Sequence, residues 1–117
     1  MFLFEIKDST VSITGYTGDE KEIIIPSHIN DLPVVSIESC AFKGKCLESV
    51  SIPYTVKSIG YWAFYQNRIS SLKLEEGLEI IKGGAFLCNP LKNFTLPDSV
   101  KSIGWGAFPK CKLFLNK

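Results

Sequence analysis

The dipeptide Ala-Phe occurs four times, at Ala41-Phe42, Ala63-Phe64, Ala85-Phe86 and Ala107-Phe108, each 22 residues from the last. Other apolar positions fall into columns on the same period. Ile37, Ile59, Ile81 and Ile103 stand four residues before each alanine, and Val34, Val56, Leu78 and Val100 stand seven before. Leu47, Ile69, Leu91 and Leu113 follow six after it, Val50, Leu72 and Phe94 nine after, and Ile52, Leu74 and Leu96 eleven after. That many columns at one period exclude chance. A unit of 22 residues cannot bury its own apolar side, so identical coils must stack, and the chain is a repeat protein.

The spacing within a unit says how each coil is built. Val50-Ser51-Ile52-Pro53, Leu72-Lys73-Leu74 and Phe94-Thr95-Leu96-Pro97 alternate apolar and polar residues, the pattern of a half-buried strand. Proline after the strand ends it, because proline cannot donate to a ladder. Val56-Lys57-Ser58-Ile59-Gly60 and Val100-Lys101-Ser102-Ile103-Gly104 place apolar residues three apart and then glycine. That predicts a 3₁₀-like or irregular turn on the far side of each coil. The alanine lets backbones approach closely and the phenylalanine fills the interior beside it. Stacking at about 4.8 Å per coil turns the Phe and Ile columns into continuous spines, which are core before they are ligand niches.

Composition narrows the function classes. A chain of 117 residues, 45% hydrophobic, predicts one domain with a sizeable core. Thirteen Lys+Arg against twelve Asp+Glu leave a net charge of +1, which argues against a basic nucleic-acid groove or an acidic tail. The single histidine, His28, excludes a site needing two imidazoles. No stretch approaches the roughly 20 apolar residues of a membrane span, so no membrane insertion is expected. The first residues, Met1-Phe2-Leu3-Phe4-Glu5-Ile6-Lys7-Asp8, lack the basic-then-apolar pattern of a signal peptide. Cys40, Cys46, Cys88 and Cys111 form no CxxC pair and match no zinc spacing. They are expected to be buried or half-buried free thiols, with a Cys88–Cys111 disulfide as the alternative in an oxidising compartment.

Two segments carry a family resemblance. Ile52-Pro53-Tyr54-Thr55-Val56-Lys57-Ser58-Ile59-Gly60-Tyr61-Trp62-Ala63-Phe64 and Leu96-Pro97-Asp98-Ser99-Val100-Lys101-Ser102-Ile103-Gly104-Trp105-Gly106-Ala107-Phe108 resemble the motif of the BspA-like leucine-rich repeats of bacterial and protozoan surface proteins. The opening, Val11-Ser12-Ile13-Thr14-Gly15-Tyr16-Thr17-Gly18 followed by Ile23-Ile24-Ile25-Pro26, resembles the first unit of that family. Ile25 precedes Ala41 by 16 residues where later units have 11, so five extra residues lie between Pro26 and Val34, expected as an exposed loop. The resemblance implies a leucine-rich-repeat solenoid of the α/β horseshoe class, mostly β, with an irregular or 3₁₀ convex side. A parallel sheet of about four strands and an N-terminal β-hairpin cap complete it. It also implies a cell-surface or secreted protein that adheres to host proteins or other cells.

The organisation expected on this basis is a capping hairpin over 1–22, with strands at Phe2–Ile6 and Val11–Ile13, and four repeat units over 23–112. A C-terminal end over 113–117 begins a fifth strand, as a crude cap or a cut edge, and offers an edge for self-association that its lysines discourage. The column four after alanine reads Lys45, Asn67, Asn89 and Cys111. The resemblance implies that Asn67 and Asn89 satisfy buried backbone carbonyls. Lys45 cannot point inward in that way, so its rung is expected to be distorted or open.

Catalytic patterns are thin. His28 and Asp31 sit near serines, but no G-x-S-x-G elbow is present, and a solvated loop histidine is the simpler account. Glu75, Glu76 and Glu79 lack the spacing of a calcium loop and read as a solvated acidic face. Lys82-Gly83-Gly84 lacks the Walker spacing of a phosphate loop. No cofactor, metal or catalytic role is assigned, and the chain reads as a non-enzyme. Two surfaces remain as candidates for binding a protein or a glycan. One is the sheet face, Ser49, Ser51, Ser71, Lys73, Asn93 and Thr95, small and polar; the other is the aromatic cluster Tyr61, Trp62, Tyr65 and Trp105. The cluster either shields the convex core or anchors an interface, since Trp and Tyr dominate hot spots. A sheet face of a few hundred Å² falls short of the roughly 800 Å² per partner of a standard interface. The expected function is therefore non-catalytic protein binding, with a structural capping or spacer module of a longer protein as the alternative.

Overall fold

The computed structural model describes residues 1–92 and 94–109, together with the backbone strand Phe114–Leu115. Within them the chain is a β-solenoid of about four turns with no helix. Strands β1 (Phe2–Lys7), β2 (Thr10–Tyr16), β3 (Glu22–Ile24), β4 (His28–Ile29), β5 (Leu32–Ile37) and β6 (Ser49–Ile52) come first. They are followed by β7 (Ser58–Ile59), β8 (Ser71–Leu74), β9 (Ile80–Ile81), β10 (Thr95–Leu96), β11 (Ser102–Ile103) and β12 (Phe114–Leu115). The expected parallel sheet is β3-β6-β8, with β10 beside β8 and paired in parallel with β12. Val50 pairs with Leu72 and Ile52 with Leu74, so the 22-residue sequence period is the register of the ladder. Buried Val50 and Ile52 alternate with half-buried Ser49 and Ser51, which is the alternation seen in the sequence.

The far side of the coil keeps the expected turns, closed by bonds such as Val56 N to Pro53 O at 3.2 Å and Ala63 N to Gly60 O at 3.3 Å, and adds short strands between them. It carries a second sheet, ordered β1-β2-β5-β7-β9-β11, in which Ile37, Ile59, Ile81 and Ile103 pair in parallel. The reason is where the backbone finds partners. Gly60 N donates to Ile37 O at 2.7 Å, Lys82 N to Ile59 O at 2.9 Å, and Gly104 N to Ile81 O at 2.7 Å. These amides at the strand ends are thus satisfied by the coil before them, which makes the segment a ladder rather than a continuous 3₁₀ run. The five-residue insertion also differs from a loop. β4 pairs antiparallel with the start of β5 across Asn30-Asp31, whose φ angles of 52° and 62° make a tight two-residue hairpin. Asn and Asp tolerate that left-handed geometry better than other side-chain-bearing residues.

At the N-terminus, β1 and β2 form an antiparallel hairpin through Asp8-Ser9, and β2 continues the second sheet by pairing with β5. It does more than cover an edge. Phe2 and Tyr16 sit 6.1 and 5.6 Å from the ring of Phe42 and extend the interior aromatic spine. In that spine Phe42, Phe64, Phe86 and Phe108 stack within 3° of parallel at 4.9, 5.1 and 5.3 Å. Phe94, the aromatic member of a column otherwise Val50 and Leu72, closes onto Phe108 at 4.5 Å. Both ends of the spine therefore finish on aromatic residues.

Beside the spine runs a ladder of buried amides. Asn67 Oδ1 accepts from the backbone N–H of Lys45 at 2.9 Å and of Leu47 at 3.0 Å, and its Nδ2 donates to the carbonyls of Phe42 and Phe64. Asn89 accepts from Ile69 N and donates to the carbonyls of Phe64, Phe86 and Leu87. Both asparagines do what the repeat pattern implied. The rung of Lys45 is distorted, with Cys46 forced to a φ of 59°, but it is not open, because Asn67 reaches across to bind its backbone. Lys45 itself stays exposed.

Two stability outcomes follow. Phe64→Ala breaks the middle of the stack and is expected to cost about 3–5 kcal/mol by chemical denaturation. Asn67→Leu removes four hydrogen bonds at once, three of them buried, and is expected to cost about 3 kcal/mol or more. If Asn67→Leu unfolds at the same urea concentration as the parent, the amide ladder is not a structural element.

Candidate functional site

The sheet-face residues are partly brought together. Ser49 pairs with Ser71 and Ser51 with Lys73 on adjacent strands, and Thr95 is exposed on β10. Asn93 lies outside the described residues. Around the four paired positions is a shallow depression of about 460 Å³, to which β3 adds Glu22 and Ile24. Ile24 is a large apolar side chain 78% exposed on this face. Its outward parity was present in the sequence, between buried Ile23 and Ile25, but an Ile-Ile-Ile run conceals alternation.

The aromatic cluster is positioned by turn geometry. The residue before each Ala-Phe alanine takes a left-handed conformation, with φ of 60° at Cys40, 58° at Trp62, 69° at Gly84 and 67° at Gly106. The alanine amide then closes a turn onto the carbonyl three residues back, as Ala63 N does to Gly60 O at 3.3 Å. Glycine holds that conformation without strain, whereas Cys40 and Trp62 carry its cost, about 1–2 kcal/mol each. Trp62 is oriented by this turn to lie along the next coil. A Cβ on Gly84 would stand 2.6 Å from Trp62 Cε3, so the glycine leaves room for the indole. At Gly83 a Cβ would meet the Tyr61 ring only in ordinary contact, at 3.6 Å, and would crowd the Trp105 carbonyl at 3.1 Å. Tyr65 meets Trp62 edge to face at 5.0 Å, and two lysines lie over ring faces, Lys82 over Tyr61 at 5.4 Å and Lys43 over Tyr65 at 5.7 Å.

Tyr61, Trp62 and Trp105 converge on one groove of about 490 Å³, within the size range of ligand pockets. Tyr65 does not line it and instead braces Trp62. Sequence reasoning missed Ile80, Lys82, Leu87 and Ser102, which complete the walls. One signal was available: Ile80 stands in the outward column whose other members are Ser36, Ser58 and Ser102. Trp105, on the last described coil, is 93% exposed.

Other candidate chemistry resolves into structure. His28 is exposed, with Nδ1 2.9 Å from the hydroxyl of Ser27. Glu76 is not a free acidic group: its carboxylate accepts from the backbone N–H of Asp98 at 2.9 Å and of Ser99 at 3.2 Å, bracing one coil against the next. Cys40, Cys46 and Cys88 are free and exposed, where burial was expected. The cause is their place in left-handed turn positions on the outside of the coil, at φ of 60°, 59° and 61°. Cys111 lies outside the described residues. Among the described residues, no three His, Cys, Asp or Glu side chains gather as a metal site, and no helix is long and apolar enough to cross a membrane.

Stacked β-coils with an asparagine ladder and an aromatic spine define a repeat solenoid. The chain belongs to the family described as the BspA type leucine rich repeat region, whose profile matches residues 15–115 in six copies. The leucine-rich repeat protein of Bacteroides capillosus is similar at 28% identity with a TM-score of 0.89, over 99% of this chain and 94% of that one. The T. pallidum leucine-rich repeat protein is 30% identical with a TM-score of 0.77, over 91% of this chain and 63% of that one. A leucine-rich cell surface protein of Faecalibacterium prausnitzii is 25% identical with a TM-score of 0.73, over 97% of this chain but only 41% of its own length. No curated protein matches. The family is generally non-enzymatic and its repeats serve as protein-interaction or structural modules.

The fit of Trp62 on Gly84 is open to a double-mutant cycle. Gly84→Ala is expected to cost about 2 kcal/mol, from left-handed strain plus the collision with the indole. In a Trp62→Ala background the collision vanishes and the cost should fall by about half. Equal costs in the two backgrounds would mean that the indole does not rest on that glycine.

Proposed function

We propose that this chain is a non-catalytic protein-binding module, acting in surface adhesion, and that its principal contact is the aromatic groove. The sheet face, with Ser49, Ser51, Ser71, Lys73, Asn93 and Thr95, is its secondary contact. The observation that carries this reading is Trp105, 93% exposed beside Tyr61 and Trp62. Trp105 lies on the last described coil, and a tryptophan exposed beside two further aromatic residues has the amphipathic character of an interface anchor. The serine-lined face carries one large exposed apolar side chain, Ile24, and its small size limits affinity. Membership in a family of interaction and structural repeats supports the protein-binding class, and the surface location printed for the Faecalibacterium relative supports adhesion.

A structural spacer role is the second reading, favoured by the coverage figures, since the chain spans 41% of one relative and 63% of another. Surface plasmon resonance against a panel of immobilised extracellular-matrix proteins separates the two. The expected result is saturable binding that weakens at least tenfold with Trp105→Ala while thermal stability is unchanged, the scale of a hot-spot truncation. Loss with Lys73→Glu instead would move the principal contact to the sheet face. Absence of binding across the panel would leave the spacer reading in its place.

A further inference from the structure

The two sheets of the solenoid begin at different levels. In the second sheet, β2 pairs with β5 of the first coil and β1 follows it, so two strands extend beyond that coil. The first sheet ends at β3, which has β6 on one side and no strand on the other. The hairpin therefore overhangs a place where the first sheet has no strand. Phe4 and Ile6 stand opposite Ile13 and Val11 on β2, and cross-strand partners share a face of the sheet. Ile13 and Val11 are buried on that inward face, whereas Phe4 and Ile6 remain 38% and 49% exposed. No strand of the first sheet stands across from them.

The free side of β3 is a row of unmet backbone groups. Ser49 N donates to Lys21 O at 3.2 Å and Ile25 N to Ser51 O at 3.0 Å, so Lys21, Ile23 and Ile25 are the residues bonded to β6. The residues between them, Glu22 and Ile24, turn their N–H and C=O groups to the open side. Against β3 lies a depression of about 260 Å³, lined by Phe2, Tyr16, Glu20, Glu22, Ile23 and Ile24. Its charged side chains are the two glutamates, with no lysine or arginine among the lining residues. Tyr16 is 4% exposed in its wall, and the Tyr16 hydroxyl is buried without a hydrogen-bond partner. This end of the interior is left with uncovered apolar groups and an unmet polar one.

We infer that β3 accepts an extended segment of a partner protein as an added strand. Basic residues on the outward side of that segment meet Glu20 and Glu22, and its apolar residues turn in toward Phe2 and the overhanging hairpin. Main-chain bonds to Glu22 and Ile24 supply affinity, and the alternation of the segment supplies selectivity. A second copy cannot offer its own β3 here, because its β5 would come to rest where β2 already stands. The vacancy suits a segment that brings no sheet of its own, a tail or an extended loop. It lies at the N-terminal end of the stack and does not depend on what the aromatic groove binds.

The test uses the full chain and a capped Lys-Ile-Thr-Leu-Lys peptide, observed through the backbone amide signals of Glu22 and Ile24 in a two-dimensional NMR titration. Saturable shifts of both amides are expected, with slowed hydrogen exchange at each in the bound state. Ile24→Pro removes an amide that the fold leaves unused, on an edge strand where proline is tolerated, and should abolish binding as read from Glu22. Glu22→Lys should weaken binding about tenfold or more, and a Glu-Ile-Thr-Leu-Glu peptide should bind the parent as weakly. N-methylation of the peptide at Ile and Leu, or instead at Thr and the second Lys, divides its alternate amides. One set should abolish binding and the other preserve it, because only one faces β3. Trp105→Ala should change nothing. No saturable shift, the same effect from both N-methyl sets, or unchanged binding by Ile24→Pro overturns the inference. So does protection of Glu22 and Ile24 that rises with protein concentration in the absence of peptide, which would make a second copy the occupant. Should Ile24→Pro unfold the chain, the N-methyl pair and Glu22→Lys decide. If the peptide fails while matrix-protein binding still depends on Trp105, this inference falls and the proposed function stands.

Discussion

Backbone hydrogen bonding between coils, rather than within them, is the constraint on which the rest of this structure depends. Gly60, Lys82 and Gly104 each find their carbonyl one coil back, and the Ala-Phe turn finds its carbonyl one coil ahead, through Phe42 N to Ala63 O and Phe64 N to Ala85 O. A backbone bonded this way must repeat at constant length, or the partners fall out of register. That requirement explains the strict 22-residue period and the alanines, which hold adjacent coils at bonding distance. It also explains Asn67 and Asn89, since the segment after each phenylalanine leaves the ladders and its peptide groups need side-chain partners. Where an insertion was admitted, after Pro26, it folds back on itself as a closed hairpin and returns the chain in register.

The same dependence decides what was legible in the sequence. Val50, Leu72 and the alternation around them marked the first sheet, because those strands are long enough to show a period of two. The second sheet was not legible along the repeats: β7, β9 and β11 are two residues long, and Val56 with Ile59 reads equally well as one turn of a tight helix. Asn67 and Asn89 were legible as a column, whereas the rescue of the Lys45 rung by the amide of its neighbour was not, since it joins residues 22 apart. The exposure of Cys40, Cys46 and Cys88 depends on φ angles that composition does not report.

The groove shows the limit in another form. Its walls were visible as Tyr61, Trp62 and Trp105, but what opens it is the absence of side chains at Gly83-Gly84. In the one-dimensional sequence those glycines registered only as a failed phosphate-loop motif. A pair of glycines in one coil becomes meaningful only when the coils on either side are laid against it, so that Trp62 finds Gly84 beneath its ring. Absent side chains shape this surface as much as present ones.

The bridging asparagines also bear on how the chain comes apart under tension. Pulled from its C-terminal end, a stacked coil opens like a zipper, rung by rung, with each step resisted only by the bonds to its neighbour. Asn89 and Asn67 interrupt that uniformity, because each amide grips the backbone of two coils, Asn67 reaching both Phe42 and Phe64. Unzipping would advance smoothly through the last turn and then halt at two successive latches. The first coils would then yield together, since the hairpin aromatics hold Phe42 from the other side.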